Sequence, residues 1–446
     1  MEKIRQFWIS VRSSLWFVPS LMLIGSIGSA LFLIESESWV DQKLLLKYPR
    51  IFGLGADGSR GMLTAIAGSM LTVAALAFSL VLYTIAQASG QYTPRILRNF
   101  MKDGGNQFIL GYFVSVFAYS LVVLRTIRGA DEIKFVPSLA IVFGLLLALG
   151  GILVLIYFIH HVASSLQLTT IIENIVEETQ ESIDGLFPQE TGTAAKKKGR
   201  KAARELIDDE DWLEIESTSN GYIQYVDTTG LLEFAEEKNI IVKMHASIGQ
   251  FVGKRQTLIK VSPDIGKSEM LFDEDDEGQV NSYFQIHRFR SIEQDVGYGI
   301  RQIVDIALKA LSPGVNDTTT AIICIDYLGT IISDIAQRNL PTDIRKKNGD
   351  VRIIVKAPDF ESFVETAFDQ IRINGKGNQA VLQRLLDTMA LIAKNILDES
   401  HQEMLLEQVR LIENLGNNSL ETDYEKEKVS ERVEKTKKLI KSKKYV

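Results

Sequence analysis

Long apolar segments occupy the first third of the chain, and shorter mixed segments fill the rest. Four uncharged apolar runs extend over residues 15–34, 62–86, 108–124 and 135–159. A bilayer core about 30 Å thick requires roughly 20 apolar residues in a helix, and a charge at that depth is costly. The pattern therefore predicts an α-helical membrane domain of four transmembrane helices within residues 1–161.

The first run is interpreted as a retained helix rather than a signal peptide. It is long, carries Trp16 and Pro19, and meets Glu35 and Glu37 without a small-residue cleavage site. The Lys and Arg residues that flank the runs number six on one side and seven on the other, so their count does not fix the orientation. The positive residues before Leu15 favour a cytoplasmic N-terminus. Four spans then place the C-terminus in the cytoplasm as well, with the protein in the cell membrane.

Small residues recur along the second run. Gly61, Ala65 and Ser69 are four residues apart, and Gly68 and Thr72 form a neighbouring pair with the same spacing. Small side chains at this spacing let two helices approach closely, and a hydroxyl-bearing face can also line a water-filled path. Ala65, Gly68, Ser69 and Thr72 are therefore a candidate pore or helix-packing face.

The polar remainder predicts an α+β soluble part in several segments. Residues 162–205 are interpreted as a helix followed by a charged linker, since residues 188–204 are poor in apolar side chains. Residues 206–272 alternate apolar and polar positions as strands do, and they resemble the small barrel-sandwich domains of the lipoyl and biotinyl type. Those domains carry a cofactor on a lysine in a hairpin, whereas Lys243 lies inside a predicted strand. We therefore expect a small β-barrel-like module without a cofactor.

An acidic run and a pair of histidines are considered as metal sites, and neither predicts a bound metal. The acidic run over residues 273–278 lacks the ligand spacing of a calcium loop and is interpreted as a solvated loop. His160 and His161 are adjacent, so on a helix their side chains point about 100° apart and do not converge on one ion.

The tail over residues 417–446 alternates Glu and Lys, which predicts a solvated helix or a disordered segment.

Residues 283–416 predict a mainly helical domain with a polar elbow. Apolar residues recur at helical spacing before Ser312 and again after Asp317, and the sequence Ser312-Pro313-Gly314 interrupts them. Asn316 or Asp317 can cap the second helix. The free amides at that helix start also bind anions in many proteins, so the elbow is a candidate anion site. Its residues are Ser312, Pro313, Gly314, Asn316, Asp317 and Thr318.

Three segments carry a resemblance to a known family. The sequences QYTPRIL, GYIQYVD and DVGYGIRQIVDIALKALSPGVNDTTTA resemble the domain-of-unknown-function 2254 family of predicted bacterial membrane proteins. The resemblance implies a multi-span N-terminal region and a soluble C-terminal part over most of the chain. It implies no activity.

Composition narrows the function further. The chain has 446 residues, with 49 Lys and Arg against 56 Asp and Glu, a net charge of −7 that disfavours nucleic acid as a partner. The single cysteine, Cys324, excludes an intramolecular disulfide. Ser312 has no paired histidine in its motif, so we expect no enzyme.

The remaining hypotheses concern the bilayer, which is the predicted partner. The favoured one is a homo-oligomeric, channel-like or transport-related protein with a cytoplasmic regulatory domain. The alternative is a membrane-anchored scaffold or sensor without transport. No permeant ion, anion or other ligand can be named from the sequence.

Overall fold

The computed structural model describes most of the chain, in two compact units. The described residues are 16–37, 55–91, 103–128, 135–165, 167–187, 212–263, 272–338, 340, 344–347, 350–355 and 357–442. Unit 1 comprises residues 1–171 and unit 2 comprises residues 172–446. The predicted charged linker over residues 188–204 lies outside the described residues.

Unit 1 contains four long helices that match the four apolar runs. They are α1 (Phe17–Ser36), α2 (Ala56–Gln91), α3 (Gly104–Thr126) and α4 (Ser138–Ser165). All four are long and apolar enough to cross a membrane. At 1.5 Å per residue, the 36 residues of α2 extend over about 54 Å, well beyond a hydrocarbon core of about 30 Å.

Helix α3 is the centre of unit 1, because each of the other three helices makes its most extensive contact with it. Gly111 permits a close approach of the α1 backbone: a methyl group there would lie 2.8 Å from the sulfur of Met22 and 3.0 Å from Cα of Pro19 in α1. Toward α4, the hydroxyl of the fully buried Tyr119 donates a hydrogen bond of 2.7 Å to the carbonyl oxygen of Ala140. Close backbone contact and a hydroxyl bond between helices are the interactions that hold helices together in lipid.

Charged side chains satisfy helix ends at one end of unit 1. Both carboxylate oxygens of Glu37, just after α1, accept hydrogen bonds from the first amides of α4, from Ser138 at 2.8 Å and from Leu139 at 3.0 Å. Arg60 of α2 donates to the carbonyl oxygen of Ile127, which follows α3, at 3.0 Å. A carboxylate at a helix start and a guanidinium at a helix end both complement the helix dipole.

A second pair of contacts satisfies the opposite end of unit 1. Asp103 caps α3 by accepting from the amide of Gly105 at 2.8 Å, and its other oxygen lies 2.5 Å from Nε2 of His161. The ring of His161 stacks on Tyr157. A methyl group on Gly105 would lie 2.6 Å from the His161 ring, so a larger residue there would displace this ring from Asp103. His160 is exposed, and the two histidines do not converge on one site.

Unit 2 combines eight strands and nine helices among its described residues. The strands are β1 (Leu213–Glu216), β2 (Gly221–Val226), β3 (Ile240–Met244), β4 (Phe251–Val252), β5 (Thr257–Pro263), β6 (Phe284–His287), β7 (Ile344–Lys347) and β8 (Asp350–Ile354). The helices are α5 (Leu168–Leu186), α6 (Thr228–Glu237), α7 (Glu274–Ser282), α8 (Val296–Ala310), α9 (Thr318–Ile335), α10 (Phe360–Asn374), α11 (Gln379–Ile392), α12 (Glu399–Ser419) and α13 (Asp423–Lys441).

The strands form two sheets, so the predicted barrel-like module is not confirmed. One sheet has the order β1-β5-β3-β8-β7 and the other has the order β4-β2-β6. Strand β8 pairs with β3 in parallel, with Val242 opposite Ile353. Strands from both sheets contribute to one apolar core, which includes Ile223, Val242 and Phe234. The β part of unit 2 is therefore completed by residues from beyond the predicted module.

The acidic run is more ordered than predicted, and the charged tail adopts the helix that was one of its two predicted alternatives. The acidic run is not a loop: Asp273 and Asp276 form a capping box at the start of α7, in which each side chain accepts from the other's backbone amide. The charged tail forms α13, which packs against α11 and α12. Val429, Val433 and Ile440 are buried on its inner side.

Helix α9 is a fifth helix that is long and apolar enough to cross a membrane. It packs against α8, α10 and α11 within unit 2, and half of its 18 residues are buried there. Cys324 lies on its buried side.

Arg338 joins α9 to the end of α5. Its side chain is only 4% exposed and contacts Asp184 at 2.6 Å and Asp334 at 2.9 Å. The guanidinium also donates to the carbonyl oxygens of Ile183 at 3.4 Å and Phe187 at 2.8 Å. One buried cation thus satisfies the C-terminal end of α5 and two carboxylates.

Replacement of Arg338 by Met is expected to destabilise unit 2 by about 3 kcal/mol, because it leaves the buried carbonyl groups at the end of α5 and the partly buried carboxylate of Asp334 without this partner. The thermal unfolding midpoint of the purified full-length protein measures this loss. Arg410→Met is the matched control, since Arg410 forms an exposed pair with Glu407 that contributes little. Equal midpoints for the two variants would contradict the role assigned to Arg338.

Candidate functional site

The small residues predicted on the second run lie on the exposed side of α2. The buried side of this helix carries Leu63, Ile66, Ala67, Met70, Ala74, Ala77 and Val81. Ala65, Gly68, Ser69 and Thr72 are all exposed. A methyl group added at Gly68 would meet no atom within 4 Å. Within the described residues, the candidate face is therefore turned away from the helices of its own chain.

The exposed small residues extend further than the sequence analysis predicted. They form a stripe, here called the small-residue stripe, that consists of Gly61, Ala65, Gly68, Thr72, Ala75 and Ser79. The steps alternate between four and three residues, which is the spacing of a seam between two helices in a coiled coil. Ser69 lies beside the stripe. The spacing that reveals Ala75 and Ser79 is present in the sequence, but their exposure is visible only in the structure.

The hydroxyl groups of the small-residue stripe are satisfied within the helix. Thr72 donates to the carbonyl oxygen of Gly68 and Ser79 donates to that of Ala75, both at 2.9 Å. Ser and Thr commonly bond in this way to the carbonyl four residues earlier. These two hydroxyls therefore require no water, and the stripe can pack against an apolar surface.

Two open pockets, which the sequence analysis did not predict, lie at the end of unit 1 where Glu37 caps α4. Their volumes are about 680 and 450 Å³, and Phe135 lines both. Glu35 and Glu37 line the larger pocket, whereas Arg125 and Arg128 line the smaller one. Both are open to solvent, and the carboxylate of Glu37 is already bonded to the amides of α4.

The elbow in unit 2 is a capped turn whose helix start is already occupied by a carboxylate. Asp317 accepts hydrogen bonds from the amide of Thr320 at 3.0 Å and from its hydroxyl at 2.6 Å. These bonds hold the pKa of Asp317 below its usual value. A free anion would meet this negative charge at the position it needs, so the geometry favours the structural interpretation of the elbow.

The other elbow residues are held by local contacts. Ser312 donates to the carbonyl oxygen of Lys309 at 2.6 Å, and the hydroxyl of Thr318 accepts from the side chain of Asn378 at 2.8 Å. Asn316 adopts a left-handed conformation with φ of 49°, which asparagine tolerates better than most residues.

Two elbow residues remain, and two arginines that precede the elbow along the chain are paired elsewhere. Pro313 and Gly314 are exposed. Arg301 pairs with Asp305 at 2.9 Å and Arg290 pairs with Asp295 at 2.6 Å, so both guanidinium groups have carboxylate partners.

Replacement of Asp317 by Ala is expected to lower the stability of unit 2 by about 1 kcal/mol through loss of the helix cap. Because the pKa of Asp317 is lowered on folding, its contribution is present above the unfolded pKa of about 3.9 and is lost as the pH falls through the folded value. Thermal unfolding at pH 7 and near pH 3 measures both effects. Asn316→Gly is the control and should retain stability, since glycine accepts the left-handed conformation. A difference between Asp317→Ala and the wild type that is the same at both pH values would contradict this assignment.

Comparison with known proteins agrees with the membrane character of unit 1. The DUF2254 family, described as predicted membrane proteins, matches residues 12–391. Uncharacterized protein MT1328 of Mycobacterium tuberculosis (strain CDC 1551 / Oshkosh) is 29% identical over 408 residues, which are 90% of this chain and 76% of that protein. Uncharacterized protein Mb1321c of Mycobacterium bovis shows the same identity and coverage. No solved structure matches the chain. Since the family match covers most of the sequence, the chain belongs to the DUF2254 family of predicted membrane proteins.

Proposed function

We propose that the protein is an oligomeric, channel-like membrane protein in which the α2 helices of several copies pack through the small-residue stripe. In this proposal unit 2 is a cytoplasmic regulatory part. The observation that carries the proposal is the exposure of the stripe on a helix long enough to cross the bilayer.

The contrast with the other exposed helix surfaces supports an interface at α2. The exposed side chains of α1 and α4 are mainly large and apolar, as suits contact with lipid tails, although α1 also exposes Gly25 and Gly28. Examples of the large side chains are Leu21, Ile24, Phe32, Leu146, Leu149, Ile152, Leu153 and Ile156. A stripe of Gly, Ala, Ser and Thr gives little contact to lipid but lets a second helix approach its backbone.

The number of spans follows from the same reasoning. Helix α9 packs against three helices of unit 2, and its neighbour α8 has charged residues such as Arg301 and Asp305. A bilayer-spanning α9 would lose these contacts. We therefore assign α9 to the core of unit 2 and the four helices of unit 1 to the membrane, which places both ends of the chain on the same side. The positive residues before Leu15 favour the cytoplasmic side.

The chemistry of α2 limits what such a channel could conduct. Residues 62–86 contain no Asp, Glu, His, Lys or Arg, and ion- or proton-coupled transporters use such residues within the membrane. A path lined by α2 would offer hydroxyl and backbone groups only. The proposal is therefore a passive path rather than a coupled transporter.

The alternative is a membrane-anchored scaffold or sensor, and one observation favours it. Because the hydroxyls of Thr72 and Ser79 bond within α2, the small-residue stripe can form a dry interface without any path. Oligomer formation and flux must therefore be measured separately.

Oligomer formation is tested by cross-linking. Ala65→Cys in the full-length protein, oxidised in membranes, is expected to give disulfide-linked dimers or larger species, because the α2 backbones would meet at this position. Cys324 is buried and remains in place. Leu153→Cys on α4, where the native side chain is 70% exposed, is the matched control and should remain monomeric. Equal cross-linking of the two variants, or none at Ala65→Cys, would refute the interface.

Flux is tested with the protein reconstituted into vesicles. Ser69→Leu and Thr72→Leu are expected to abolish release of a small neutral solute or ion, because leucine would fill the path. Leu149→Ile on the exposed side of α4 should leave release unchanged. Cross-linking through α2 without any flux in the wild type would reject the channel and support the scaffold.

A further inference from the structure

The outer side of the three-stranded sheet in unit 2 carries a row of aromatic side chains. In the order β4-β2-β6, Phe251 pairs with Tyr222, and Tyr222 pairs with His287, so the three residues lie side by side. Neighbouring residues along a strand point to opposite sides. Accordingly Ile223 and Val252, which alternate with them, are buried in the core.

Phe289, just beyond β6, enlarges this row into a surface that we call the aromatic face: Tyr222, Phe251, His287 and Phe289. Phe251 is 54% exposed and Phe289 is 57% exposed. The rings of Tyr222 and Phe251 make an edge contact, with centroids 5.3 Å apart. The side chain of Gln224 on β2 donates to the carbonyl oxygen of Phe289 and holds that segment beside the sheet. The aromatic face is therefore built on strands and is exposed.

The segments that form the aromatic face carry only positive charges. Residues 217–226, 245–256 and 284–292 contain no Asp or Glu, although the chain has 56 acidic residues in 446. Lys254, Arg255 and Arg288 are exposed in these segments. The guanidinium of Arg288 lies 5.9 Å from the ring centroid of Phe289. In a chain of net charge −7, the sign of the charge is reversed within these segments, and Glu216, Asp227 and Glu293 lie just outside them.

We propose that the aromatic face docks onto the surface of an anionic lipid bilayer. Aromatic rings are enriched at the level of the lipid headgroups, and Lys and Arg near an anionic leaflet are attracted to it. The chain carries its own transmembrane helices, so a bilayer is always close at high effective concentration. This docking requires neither the oligomer nor the flux of the proposed function.

The positive charge of the aromatic face favours a bilayer over the other partners that could bind an exposed aromatic surface. Two copies of the aromatic face, packed against each other, would bring Lys254, Arg255 and Arg288 together and repel. A nucleic acid is attracted by a protein surface that is basic overall, whereas this basic area is small and the chain is acidic. A bilayer surface needs only a few aromatic and basic residues on one side.

The test uses the full-length protein in lipid nanodiscs with a fluorescent label near the aromatic face. Ser219→Cys, in the exposed loop before β2, places the label, and buried Cys324 stays unlabelled. Lipids with a quencher at the headgroup report proximity to the bilayer. Ser430→Cys on α13 is the matched exposed control.

We expect strong quenching of the Ser219→Cys label in discs that contain phosphatidylglycerol and weak quenching in discs of phosphatidylcholine alone. Each of Lys254→Gln, Arg255→Gln and Arg288→Gln should lower the docked-to-free ratio by about fivefold, and added salt should do the same. Phe251→Ser with Phe289→Ser should abolish the quenching while the thermal unfolding midpoint stays unchanged, since both rings are exposed.

Several results would overturn the proposal. Quenching that is independent of lipid charge and salt, or that is equal at Ser430→Cys, would exclude specific docking. Energy transfer between labels on separate copies without lipid quenching would assign the aromatic face to a second copy. Retarded migration of an oligonucleotide that is lost in the double Phe variant, again without lipid quenching, would assign it to nucleic acid. The comparisons of lipid composition and of salt concentration use the protein with an unaltered aromatic face. They therefore remain informative even if a variant fails to fold.

Discussion

Hydrocarbon offers no hydrogen-bond partner, so the polar groups of unit 1 must be satisfied by the protein itself. The contacts of Glu37 with the start of α4, of Arg60 with the end of α3 and of Asp103 with His161 meet this requirement at both ends of the bundle. Each joins two different helices. The same groups that satisfy the helix ends therefore determine which helices are neighbours, while the apolar side chains between them need only fit.

The exposed side chains that indicate an interaction surface are small in unit 1 and large in unit 2. In α2 the surface with the smallest side chains indicates an interface. Large apolar side chains make good contact with lipid, whereas small ones let a second helix approach the backbone. In unit 2 it is the surface with the largest exposed rings that indicates one, because water does not solvate them well. Helix α9 illustrates the distinction: it is long and apolar enough to cross a membrane, yet its partners α8, α10 and α11 cover it within a folded core.

The sequence predicts those features that depend on neighbouring residues. Apolar length identified α1 to α4, and cap chemistry identified Asp317 as a possible helix start. The same local rules could have identified α7 from Asp273 and Asp276, where the dense charge obscured the pattern. For α13 a helix was one of the two predicted alternatives, and its buried side with Val429 and Val433 was not foreseen. The pairing of β8 with β3 could not be predicted, because the partners lie about 110 residues apart and no periodicity links them. The aromatic face requires the register of three strands and was likewise out of reach.

The length of α2 has a mechanical consequence. A rod of about 54 Å in a hydrocarbon layer of about 30 Å protrudes by about 24 Å in total, unless it leans strongly. A change in the tilt of α2 inside the bilayer therefore moves its protruding ends sideways outside the bilayer. If most of the surplus lies on one side, a lean of 10° sweeps the protruding tip sideways by about 4 Å. A change in the lean of α2 would therefore displace its protruding ends in the aqueous phase.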